Sequence, residues 1–133
     1  MCGEIDEHVL IGQEMLERAR ALTKRMGLPA PDAAREAPTG LAEADGRAAY
    51  MERIFRTGLA QALNDVARAG EDEMIDALAS QAIALARLAG FLAGQLPPEA
   101  DLYRAVIEAA TAGHSEPREM AEEQAHHHHH HHH

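Results

Sequence analysis

The chain has 133 residues, 12 basic and 22 acidic, with a formal net charge of −10 when its histidines are neutral. Such a balance argues against nonspecific nucleic-acid binding, which depends on neutralising phosphates with lysine and arginine, and against adsorption to anionic membranes. A single cysteine, Cys2, can form no disulfide within the chain, and no leader pattern opens it, so a cytoplasmic protein is expected.

The ten histidines mislead at first sight, because His126 to His133 form an uninterrupted run that reads as a purification tag. Only His8 and His114 remain. Twenty-eight residues are alanine, tryptophan is absent, and Tyr50, Phe55, Phe91 and Tyr103 are the only aromatics. Alanine loses no side-chain entropy in a helix, and β-branched residues are scarce, so the composition predicts an all-α protein. About 125 residues suffice for one domain that needs no disulfide or metal.

The first helix is expected over 4–26. Ile5, Gly12, Ala19 and Met26 recur every seven residues, with His8, Met15 and Leu22 beside them, tracing a coiled-coil-like seam. Residues 27–40 hold three prolines and two glycines and are expected to form a flexible linker. Such a linker would let helix 1 cross to a distant face or swap onto a partner chain. A long second helix is predicted over 41–69, with Thr39 or Gly40 near its N-cap and a stripe through Met51, Phe55, Gly58, Ala62 and Val66. Gly46 or Gly58 could kink it.

The third helix, 71–94, opens with Glu71, Asp72, Glu73 and Asp76 and is then apolar nearly all round. That predicts a central helix covered on most sides. It also has membrane-spanning length, but Arg87 at mid-span would cost about 2.5 to 3.5 kcal/mol at a bilayer centre, which argues against a span. Pro97 and Pro98 break the chain. A fourth helix is expected over 98–112 with Gly113 as its stop, followed by a disordered acidic tail over 114–125.

Small residues are the most informative feature. Ala82, Ala86, Gly90 and Gly94 fall four apart on helix 3, and Gly12 and Gly58 interrupt the apolar stripes of helices 1 and 2. A glycine inside a helix costs about 1 kcal/mol relative to alanine, so close backbone approach is the expected reason for it. The crossing could lie inside the chain or between copies; a groove for an apolar ligand is the alternative. His8 has Glu4 one turn before it, yet neither His8 nor His114 completes the Glu-x-x-His of a di-iron bundle, so a structural histidine is expected and no metal or cofactor. Arg87 and Gln81, if buried, need partners, most simply a carboxylate from another helix such as Glu52, Asp65 or Glu108. Ser80 and Ser115 lie in no nucleophile motif, and no phosphate loop follows a strand.

The sequence therefore leads to a four-helix bundle-like domain over 1–113, non-enzymatic and acting as an interaction or regulatory module. The expected partner is a second copy in a homodimer, with a further protein partner open and neither nucleic acid nor membrane. The candidate interface or pocket comprises His8, Gly12, Gly58, Ala86, Arg87, Gly90 and Gly94. A small apolar ligand or metal held between helices 1, 2 and 3 is the alternative.

Overall fold

The computed structural model describes residues 3–29, 31–32 and 34–131, without the side chains of residues 3–6, 8 and 127–131. Cys2 lies outside the described residues. Four α-helices form: α1 (Gly3–Lys24), α2 (Ala44–Arg68), α3 (Met74–Ala93) and α4 (Leu102–His131). A 3-10 turn occupies Pro98–Ala100, and there is no strand among the described residues. The protein is all-α, of the bundle-like four-helix class. A single domain was expected, but the chain divides into two units, Met1–Ala86 and Arg87–His133, and the division falls inside α3.

In the first unit, α1 ends at Lys24, two residues before the expected stop. Met26 and Gly27 donate backbone N–H groups to the Thr23 and Lys24 carbonyls at 2.9 and 3.3 Å. Gly27 sits at φ +66°, the left-handed conformation that ends a helix at no steric cost to glycine. Of the expected seam, Gly12, Met15 and Ala19 are half-buried but Leu22 and Met26 are exposed; Thr23 is half-buried instead, and Val9, Leu10, Ile11 and Leu16 are exposed.

The entry to α2 differs from the expectation. The helix begins at Ala44, with Glu43 as an N-cap that makes no side-chain bond. Gly40, at φ +72°, turns the chain first, and the Glu43 N–H donates to its carbonyl at 3.2 Å. The Arg47 guanidinium then reaches back and donates through Nη1 to the Leu41 and Ala42 carbonyls at 3.0 and 3.1 Å. Gly46 lies so close to the Gly40 carbonyl that a β-carbon there would collide with it. Its glycine serves this turn and not a kink.

A five-residue connection joins α2 to α3. The Ala69 N–H donates to the Asp65 and Val66 carbonyls, and Glu73 N–H to the Gly70 carbonyl at 2.8 Å. Gln81 Nε2 donates to the Ala62 carbonyl at 3.1 Å. Gln81 stands seven residues into α3 and Ala62 six before the end of α2. Nearly equal distances from a short loop mean an antiparallel helical hairpin. Around that bond Ala62 and Val66 of α2 are half-buried, as are Ala69 of the connection and Ala77 and Gln81 of α3.

In the second unit, the end of α3 is closed by Gly94 N–H donating to the Gly90 carbonyl at 3.0 Å and by Gln95 Nε2 donating to the Phe91 carbonyl at 3.1 Å. Ala93, 7% exposed, is the only buried residue among those described; Phe91, Leu102 and Val106 are half-buried. Pro98 opens the 3-10 turn and not α4. Asp101 adopts φ 53° between the two, and α4 starts after it. Arg104 lies 3.7 Å from Asp101 and 3.6 Å from Glu108.

Two expectations fail here. The helix does not stop at Gly113, and residues 114–125 are helical, continuing α4 through Pro117. The tail is polar, but its Glu, Met, Ala, Gln and Arg residues are strong helix formers, and Pro117 removes only one backbone bond, the one to the Gly113 carbonyl. Nor is α3 covered on most sides: Ile75 is 82% and Ile83 72% exposed.

Candidate interaction surface

The α2–α3 hairpin has two unlike sides, and helix geometry says which residues lie on each. Flanking a contact residue i, positions i−3 and i+1 turn one way by about 60° and 100°, and i+3 and i−1 the other way. Seen from one end, an antiparallel pair winds in opposite senses, so equivalent flanks fall on the same side of the hairpin. From Ala62, the first flank is Leu59 and Leu63; from Gln81, it is Leu78 and Ala82, continued by Leu85 and Ile75. The second flank carries Gln61, Asp65 and Ser80.

One side of the hairpin is thus leucine-rich, and the other carries Gln61, Asp65 and Ser80 beside the exposed Ile54 and Ile83. Leu59, Leu63, Leu78 and Leu85 are 45%, 54%, 54% and 53% exposed. Between residues 77 and 86, α3 carries no charged side chain at all. The nearest charges on the leucine-rich flank of α2 are Glu52 and Arg56, which pair with each other at 2.9 Å.

The residues singled out from the sequence divide between the units. Gly12, Gly58 and Ala86 belong to the first, Arg87, Gly90 and Gly94 to the second. A β-carbon added at Gly12, Gly58 or Gly90 would meet nothing within 4 Å. Close backbone approach at these glycines is therefore not made among the described residues. At Gly94 the nearest atoms are the Phe91 and Gly90 carbonyls of its own helix, 3.4 and 3.5 Å away, so it serves the helix end. Ala86 is exposed. His8 lies within α1, and its side chain is outside the described ones.

Arg87 is exposed and makes none of the ion pairs among the described residues. Two of its expected partners are engaged locally, Glu52 with Arg56 and Glu108 with Arg104, because pairs three or four apart on one helix need no tertiary contact. Gln81 did find a partner on another helix, a backbone carbonyl and not a carboxylate. That bond is the contact sequence reasoning missed. Its only signal was that positions 62 and 81 are nearly equidistant from the middle of the 69–73 connection.

No group of three or more His, Cys, Asp or Glu side chains that could hold a metal occurs among the described residues. The helix Met74–Ala93 is the one helix among them long and apolar enough to cross a membrane. No protein-family model, curated protein or solved structure matches the chain.

Proposed function

We propose that this chain is a small non-enzymatic interaction module that self-associates, with a homodimer as the simplest assembly. One observation carries the reading: twenty-three large hydrophobic side chains among the described residues are exposed, and no large one is fully buried. Each half-exposed side chain forgoes about 1 kcal/mol of burial, some 20 kcal/mol together. Surface on that scale is what interfaces are made of.

A ligand-binding bundle would need a closed cavity with a few polar groups converging on it. Gly12, Gly58 and Gly90, the expected lining, open onto free space instead, and no polar side chain among the described residues is buried. Self-association is therefore the better supported of the two.

An assembly that folds as it forms melts at a temperature that rises with protein concentration. Thermal unfolding followed by circular dichroism at 2, 20 and 200 μM, with EDTA so that the polyhistidine run cannot bridge copies through metal, is expected to show that rise. A melting temperature independent of concentration over this range overturns the reading.

A further inference from the structure

The leucine-rich side of the α2–α3 hairpin is a face of defined outline, and we propose that a second copy of this chain docks on it through the same face, hairpin on hairpin. The inference rests on the self-association proposed above and names its surface. Leu59 and Leu63 from α2 lie beside Leu78, Leu85 and Ile75 from α3, all exposed. Ala82 separates the leucines, a small residue where a side chain of the opposite copy can enter. Gln61, Asp65 and Ser80 interrupt the reverse side, where Ile54 and Ile83 are the exposed large apolar side chains, so the hairpin's continuous apolar surface lies on the leucine-rich side.

Area and symmetry both favour a second copy as the occupant. Five large side chains, each at least 45% exposed, offer on the order of 500 Å². The alanine and the backbone between them bring this towards the roughly 800 Å² per partner of a standard interface. A patch that is apolar and uncharged is self-complementary: turned over about a twofold axis it meets its own leucines and brings no like charges together. Pairing two antiparallel hairpins in this way completes a four-helix arrangement from two chains. A lipid surface fits less well. The chain carries a net charge of −10, and α2, half of the hairpin, bears Glu52, Arg53, Arg56 and Asp65.

The test compares full-length chains carrying Leu63→Glu or, on the reverse side, Gln61→Glu, by sedimentation in EDTA with helicity checked by circular dichroism. Leu63→Glu places a carboxylate in the face of both copies and is expected to weaken dimerisation at least about thirtyfold, whereas Gln61→Glu changes it less than about threefold. If Leu63→Glu loses helicity, pyrene attached at Leu63→Cys in a Cys2→Ser background reports instead. Excimer emission at that position, absent from Ser80→Cys, supports the proposal. A wild-type dimer that tolerates Leu63→Glu, or excimer only from Ser80→Cys, overturns this face while leaving self-association standing. A wild-type chain that stays monomeric and floats with phosphatidylcholine vesicles overturns both and assigns the face to lipid.

Discussion

At the residue scale, glycine divides into two kinds that composition cannot tell apart. Gly46 is held against the Gly40 carbonyl, so the absence of a β-carbon there is required by a backbone contact. Gly12 and Gly58 face open space, so their cost to the helix is uncompensated within the chain. Gly46→Ala is expected to destabilise by about 1 to 3 kcal/mol through that collision. Gly58→Ala should stabilise by up to about 1 kcal/mol, the difference in helix propensity. Urea unfolding of the two variants checks both signs; a loss at Gly58 comparable to that at Gly46 would mean that Gly58 is also in a close crossing, made between copies.

At the scale of elements, the α2–α3 hairpin turns on one polar bond. Gln81 donates to a carbonyl of α2 that is already part of the helix, and the pair is only half-buried. Gln81→Ala is expected to cost about 1 kcal/mol, the net worth of a hydrogen bond, whereas Gln81→Leu, which replaces the amide with apolar surface, should cost less. Chemical denaturation of both variants distinguishes them, and equal losses would show that the amide bond contributes nothing specific. In α4, Pro117 interrupts the backbone ladder inside a helix. Pro117→Ala restores the bond to the Gly113 carbonyl, and slower amide exchange over residues 113–121 is the expected result. Unchanged exchange there would mean that the helix is not held together across this point.

These elements also show what could be read in advance. The number and order of the helices were legible, because alanine content and the Gly27, Gly70 and Pro97–Pro98 breaks are local signals. The start of α2 was not, since it depends on Arg47 reaching back to Leu41 and Ala42 and on Gly46 meeting Gly40, contacts between residues five or six apart in a turn. The extent of α4 does not follow from polarity: the residues after Pro117 are acidic and are also among the best helix formers. The proposed surface overlaps the small-residue series only at Ala82. The small-residue series on helix 3 pointed at α3, and Ala82 does lie on the apolar side of the hairpin. The leucines that define that side needed the pairing of Gln81 with Ala62, which fixes how α2 and α3 are turned towards each other.

For the whole molecule, the apolar periodicity of α3 says that the helix is built to be covered but not by what. The expectation of a helix central to its own chain assumed the cover was intramolecular, and the exposure of Ile75, Leu78, Ile83 and Leu85 removes that assumption. If a second copy supplies the cover, two chains of formal charge −10 approach each other, and their repulsion is screened by salt. Dimerisation through an apolar face should therefore tighten between 50 and 300 mM NaCl. Sedimentation equilibrium measures this, and weakening with salt would point to an interface held by ion pairs.

The most direct measurement is the mass of the full-length chain in solution, by light scattering at 10 to 100 μM protein in EDTA. The account predicts twice the 14.4 kDa chain mass. A mass of 14.4 kDa held across that range would contradict it.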